Sequence, residues 1–295
     1  MKRLSTLVVF FFDLKCKYNR PIYDMKKTLF IFTLLALVGC KETKEKEVIP
    51  EVKPSTEEVV TATEEEKPAL TIYGKEENII LDILIPRYYD KDFHQEEFNK
   101  VNDKWLAFEE KKGLFQVIKA DYAISEEMNE CTESEQLGIF STGPVEPIFF
   151  LGPNAMIKKG AKTALNIKEQ PLWPHAPQEY LFNGKQYILR AEGEQVDSYD
   201  YTDDSGKTKK YKKFKDYKLY LTVNGEAEQV ILDIPSFNDT FVQLLFVGDL
   251  DGDGNLDFVF DASPEYEIQS VEVYLSKGAQ HFIYLAGAIS VDFSC

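Results

Sequence analysis

The sequence predicts a mainly β (α+β) protein, an antiparallel meander or sandwich with one N-terminal helix, and three observations carry that expectation. Asn183-Gly184 lies between the β-favouring runs 179–182 and 186–189, and Asn224-Gly225 lies between 217–223 and 229–234. An Asn-Gly pair flanked by such runs is the strongest short-range hairpin signal, because both residues tolerate the positive φ that a primed turn requires. Further apolar, β-favouring runs at 241–247, 256–261, 270–276 and 281–286 extend the hairpins into a meander. Helical periodicity is confined to one stretch, about 92–111.

The chain begins with 24 residues whose apolar run, Leu7 to Phe12, is broken by Asp13 and followed by Lys15, Lys17 and Arg20. They do not fit the layout of a targeting segment, and initiation at Met25 is the expected start. From Met25 a short basic start, an apolar run of about a dozen residues and a small residue before Cys40 reproduce a secretory signal over 25–39. That run is too short to cross a bilayer as a helix. Leu37-Val-Gly-Cys40 resembles a bacterial lipobox, which implies cleavage before Cys40, lipidation of its thiol and a lipid-anchored place in the outer membrane.

After Cys40 the composition changes to Lys41-Glu-Thr-Lys-Glu-Lys-Glu47, three prolines and Glu64-Glu-Glu66. Residues 40–69 hold too little apolar surface to offset their ordering entropy and are expected to form an acidic tether. The Lys-Glu pattern is similar to export signals that carry lipoproteins of Bacteroidota to the cell surface. Loss of residues 1–39 removes seven basic and two acidic residues, moving the formal charge from −16 to −21. So acidic a chain excludes nucleic acid as a partner class.

Residues 70–295 are long enough for one large domain with its own core, and no Pro/Gly/Ser-rich linker interrupts them. Ile79 to Ile85 reads as a buried strand ended by Pro86. Phe93, Phe98, Val101, Trp105 and Phe108 recur at helical spacing and predict a core-packed helix over 92–111, stopped by Gly113. Between 207 and 218 seven lysines are interleaved with aromatic residues, directly after the acidic stretch 197–204. A fold-back at 204–206 would set acids opposite bases, giving an edge hairpin joined by cross-strand ion pairs. The other reading of those lysines is an anionic polysaccharide site.

The most informative stretch is Val247-Gly-Asp-Leu-Asp-Gly-Asp-Gly-Asn-Leu-Asp-Phe-Val-Phe260. Its carboxylates at Asp249, Asp251, Asp253 and Asp257 repel one another unless a cation sits among them. An all-oxygen set suits Ca²⁺, which takes six to eight oxygen ligands at roughly 2.3–2.6 Å. Gly254 supplies the sharp turn, and the backbone carbonyl of Asn255 is the expected fifth donor. An EF-hand would carry a bidentate Glu at the twelfth position, where this chain has Phe260, and the flanks read as strands. The pattern D-x-D-x-D-G-x-x-D between strands, followed by Val271-Glu-Val-Tyr-Leu-Ser-Lys-Gly278, resembles the calcium loop of FG-GAP or VCBS-type repeats. That resemblance covers about 30 residues and implies a structural calcium ion.

Catalytic patterns are thin. His94, His175 and His281 show no metal-ligand spacing, no G-x-S-x-G elbow occurs, and His175 sits in the Pro-rich loop 171–177. In an oxidising envelope, with Cys16 upstream and Cys40 acylated, Cys131 and Cys295 remain to form a disulfide. The expectation is a membrane-anchored lipoprotein acting as a binding or accessory module for a glycan or another envelope protein. The alternative is an enzyme on surface polysaccharide or peptidoglycan, whose carboxylate pair only spacing in three dimensions could nominate.

Overall fold

A computed structural model describes residues 70–71, 79–167, 171–202 and 206–293. All of them belong to one compact unit, Thr63–Cys295. The signal, Cys40, the tether and Cys295 lie outside the described residues. In chain order the elements are β1 (Leu70–Thr71), β2 (Ile83–Leu84), β3 (Arg87–Asp90), α1 (Lys91–Asn99), β4 (Leu106–Lys111), β5 (Leu114–Lys119), β6 (Tyr122–Asn129), β7 (Ser134–Ser141) and β8 (Phe149–Leu151). They continue with β9 (Gly160–Ala161), β10 (Thr163–Ala164), β11 (Gln178–Phe182), β12 (Lys185–Thr202), β13 (Thr208–Val223), β14 (Gln229–Ser236), β15 (Gln243–Asp249), β16 (Asp257–Asp261), β17 (Ile268–Leu275) and β18 (Tyr284–Asp292). The protein is mainly β.

The strands form four sheets, ordered β10-β15-β16-β17-β18, β1-β14-β13-β12-β11, β2-β8-β4-β5-β9 and β3-β7-β6. The first of these is central because both its faces are covered. Phe246, Val259, Val271, Val273 and Leu275 point into a core shared with Phe108 and Phe149 of the β2-β8-β4-β5-β9 sheet. Their sequence neighbours Val247, Phe258, Phe260 and Tyr274 point the opposite way, into a core shared with Leu219, Leu221 and Phe237. Strands have a side-chain period of two, so a sheet covered on both sides needs apolar residues at both phases. That is why 241–247 and 258–260 read as continuous apolar runs rather than as alternating ones.

The expected meander is present as β15 to β18, each strand antiparallel to the next. Asn183 and Gly184 take φ of 46° and 79° and close a two-residue turn in which Phe182 pairs with Lys185. Asn224 and Gly225 have φ of 52° and 73°, but the β13–β14 connection is longer, since Leu221 pairs with Gln229.

Two expectations are corrected. The helix is only Lys91–Asn99, and the residues from Leu106 onward form the β4–β5 hairpin. Lys112 and Gly113, at φ of 55° and 81°, make a tight turn between Lys111 and Leu114. Gly113 is therefore a hairpin residue, not a helix stop. The apparent helical stripe has three separate origins. Phe98 packs from the helix, the Trp105 indole donates to the Lys100 carbonyl just past the helix end, and Phe108 faces the core from a strand. Phe93 is 79% exposed. The buried strand expected over Ile79 to Ile85 is the second correction, because only Ile83–Leu84 pair with β8. Upstream, Ile80 and Leu81 instead donate their backbone N–H groups to the Ala286 carbonyl of β18.

The charged hairpin pairs as expected, with Glu192 opposite Lys218, Glu194 opposite Lys215, Asp197 opposite Lys213 and Asp200 opposite Lys210. Beyond the reach of β11 and β14 it continues as a two-stranded ribbon. Tyr199 donates to Asp239 at 2.7 Å and Tyr211 to the Thr240 carbonyl at 2.9 Å, fixing the ribbon to the loop before β15. Four of the seven lysines thus stand opposite an acid of β12, with Lys215 paired to Glu194 at 2.9 Å, and Lys218 pairs with Asp233 of β14 at 3.6 Å.

Candidate metal centre

The acidic loop connects β15 to β16 at one end of the central sheet, where Gly248 pairs with Asp257. Asp257 is its fixed point, fully buried. One of its carboxylate oxygens accepts from the backbone N–H groups of Leu250 (2.7 Å) and Asp251 (3.0 Å). The other accepts from the backbone N–H of Ser276 (2.8 Å) and from its hydroxyl (3.0 Å). Asp249 closes the turn from the other end, accepting from the N–H groups of Gly252, Asp253 and Gly254 at 2.7–3.0 Å. Gly252 and Gly254, at φ of 82° and 86°, hold the left-handed backbone that aims these N–H groups inward.

Three of the expected ligands converge. Asp249, Asp251 and Asp257 each place a carboxylate oxygen within 4.8 Å of the others, and Asp251 and Asp257 are buried. An ion with ligand bonds of about 2.4 Å spans opposite oxygens about 4.8 Å apart, so this donor set fits a hard cation. Asp253 lies beside that group. Its carboxylate accepts from the backbone and side-chain amides of Asn255 at 2.8 and 3.0 Å and from the Ser276 hydroxyl at 3.0 Å. The Asn255 side-chain oxygen accepts from Lys185 at 2.6 Å.

Several residues that enclose the loop were not singled out as its partners by the sequence. Ser276 and Lys277, in the β17–β18 turn, donate backbone N–H groups to Asp257 and Asp251. Asn183 donates to the Gly254 carbonyl at 2.8 Å, so the tip of the β11–β12 hairpin rests on the loop. Lys162, just before β10, donates to the Leu250 carbonyl at 2.7 Å. Only the tertiary register brings these segments, 19 to 88 residues away from their partners in sequence, to one place.

The electrostatics follow from this enclosure. Burial, reinforced by the Asp251 carboxylate, pushes the Asp257 carboxyl up to about 7 against the donors that pull it down. Burial and then the Asp253 carboxylate likewise raise Asp251. Burial lowers Lys162 although Asp249, Asp257 and Asp251 all favour its charge.

His175, the remaining residue of interest in the Pro-rich loop, sits at a φ of 62° beside Trp173, which packs on Phe241 with ring centroids 4.5 Å apart. That loop is a packed connector. Cys131 is disulfide-bonded at the β6–β7 turn, and the three other cysteines, including the expected partner Cys295, lie outside the described residues. No family model, curated protein or solved structure matches the chain.

Proposed function

We propose that this chain is a lipid-anchored protein of the bacterial outer membrane whose β domain holds a structural calcium ion and serves as a binding or accessory module. The observation that carries the calcium reading is the convergence of Asp249, Asp251 and Asp257 on one point. The donors are all oxygen, a set that suits calcium or magnesium rather than a softer metal. They are carried on one short loop and the strand ends that flank it, a set without imposed octahedral geometry, which favours the larger and more tolerant calcium ion. The four-stranded antiparallel meander that bears the loop at its first connection supports the resemblance to FG-GAP or VCBS-type repeats.

In this reading the ion is structural. Asp249 and Asp257 belong to β15 and β16, and Ser276 and Lys277 hold Asp257 and Asp251 from the next turn. An ion among the carboxylates would therefore clamp the end of the central sheet, leaving the rest of the surface to the partner. The anchor rests on the sequence alone, from Met25 to Cys40. Among the described residues no helix is long and apolar enough to cross a membrane.

Thermal unfolding of the protein in chelator and in about 2 mM Ca²⁺ tests the ion. With an affinity of about 10⁻⁴ M, as in extracellular modules, mass action gives around 1.8 kcal/mol. For a domain of this size that amounts to a rise of about 4–7 °C. Mg²⁺ should give a much smaller rise, because it demands a near-ideal octahedron. Identical melting temperatures in Ca²⁺ and chelator would remove the calcium reading. The anchor has its own test, since Cys40→Ser should move the protein from the detergent phase to the aqueous phase; unchanged partitioning would count against lipidation there.

A further inference from the structure

We propose that the Lys162 ammonium is a resident counter-ion of the aspartate loop, standing in for part of the ion's charge when the site is empty and opposing the ion when it binds. The inference rests on the reading of this loop as a cation site. Its starting point is backbone register: Thr163 pairs with Asp249 and Ala164 with Gly248, so Lys162 enters beside the first aspartate. Lys162 is itself fixed at both ends. Its backbone N–H donates to the Phe115 carbonyl at 2.9 Å, and its ammonium donates to the Leu250 carbonyl at 2.7 Å.

The position of that ammonium matters more than its presence. It is attracted by Asp249, Asp257 and Asp251, the same three carboxylates that converge. Yet among the described residues it makes no ion pair within 4.0 Å, because the Leu250 carbonyl holds it to one side. A contact ion pair would occupy the donors. A cation held nearby leaves them open and still contributes its field, which is strong at a half-buried site where the effective dielectric is well below that of water. The same field attracts the empty carboxylates and repels a divalent ion, so one residue stabilises the metal-free loop and weakens metal binding. Lys185, by contrast, spends its ammonium on the Asn255 side chain at the rim.

The test compares the full chain with its Lys162→Gln, Lys162→Met and Lys162→Arg variants by calorimetric Ca²⁺ titration and by thermal unfolding in chelator. Glutamine keeps a donor for the Leu250 carbonyl while removing the charge. Circular dichroism of each variant in chelator checks that it folds. Both neutral variants should bind Ca²⁺ about tenfold more tightly or better, should melt lower than wild type without metal, and should lose this difference in affinity at high salt. Arginine should keep wild-type affinity. If wild type binds Ca²⁺ and the folded neutral variants bind it no more tightly, the counter-ion proposal is overturned and the calcium reading stands. If none of the four proteins binds Ca²⁺ at millimolar concentration, both are overturned. Binding by the neutral variants alone would support both, with Lys162 the reason wild type resists loading.

Discussion

Replacing Asp257 with alanine is expected to destabilise the domain by about 3–5 kcal/mol even with no metal present, and to abolish calcium binding. The carboxylate accepts from three backbone N–H groups, those of Leu250, Asp251 and Ser276, and from the Ser276 hydroxyl. Asp257 is fully buried, so alanine would leave the three backbone N–H groups without their acceptor, while the Ser276 hydroxyl keeps the Asp253 carboxylate at 3.0 Å. Each buried donor stranded in this way costs roughly 1–3 kcal/mol, and partial relaxation of the loop keeps the sum below the simple total. Asp257→Asn separates the two roles, since it retains one oxygen and so one pair of donors. It should lose about 1–3 kcal/mol and all of the calcium-induced rise in melting temperature. Denaturant unfolding in chelator and in Ca²⁺ reads both quantities, and a full calcium response in Asp257→Asn would exclude Asp257 as a ligand.

The same residue sets a pH dependence. In the folded, metal-free chain the Asp257 carboxyl is lifted from 3.8 to about 7. The folded state therefore holds this proton more tightly than the unfolded chain does. Its contribution to stability is complete below about pH 4 and is lost as the pH rises through 7. In chelator, wild type should be less stable at pH 8 than at pH 5 by more than Asp257→Asn is. The calcium-induced gain should run the other way and grow with pH, because the ion binds the ionised form.

Gly248→Ala is expected to be as damaging, by about 3–5 kcal/mol, for a reason of space rather than charge. A Cβ at this position would lie 2.2 Å from the Thr163 carbonyl oxygen, 2.7 Å from the Ala164 Cα and 2.7 Å from the Phe246 ring. The first two are backbone atoms of β10, so the clash cannot be relieved by a side-chain rotation. Overpacking of a core usually costs 1–3 kcal/mol, and values at or above the top of that range follow when only backbone can yield. The expected outcome is a β10 strand pushed off β15, with Lys162 carried away from the loop. A melting temperature lower by roughly 10 °C would register it. Wild-type stability in Gly248→Ala would mean that β10 does not run beside β15.

What could be read in the sequence is what neighbouring residues decide. Asn183-Gly184 specifies its turn because two adjacent residues must both take positive φ, and that preference is local. The acidic and basic halves of the charged hairpin are consecutive segments of chain, so their pairing followed from a single reversal. Asp249, Asp251 and Asp257 share one short loop, which is why their convergence was legible from spacing. The Lys112-Gly113 turn was equally local, but the chance recurrence of Phe98, Trp105 and Phe108 at helical spacing masked it.

The tertiary structure alone decided what surrounds the loop. Lys162 is 88 residues from the Leu250 carbonyl that holds it, and Asn183 is 71 residues from Gly254. Lys162 belongs to no pattern and the Asn183-Gly184 signal specifies only its own turn, because each reaches the loop through tertiary structure: β10 against β15 for Lys162, and the contact of the β11–β12 turn with the loop for Asn183. The two covered faces of the central sheet are of the same kind, since a continuous apolar run states that a strand is buried without stating what buries it. Spacing along a chain fixes which donors can share a turn, whereas the charge balance and burial those donors experience depend on segments brought in from elsewhere. The sequence therefore marked Asp249, Asp251 and Asp257 among its candidate ligands, and the fold determined their burial and the charges around them.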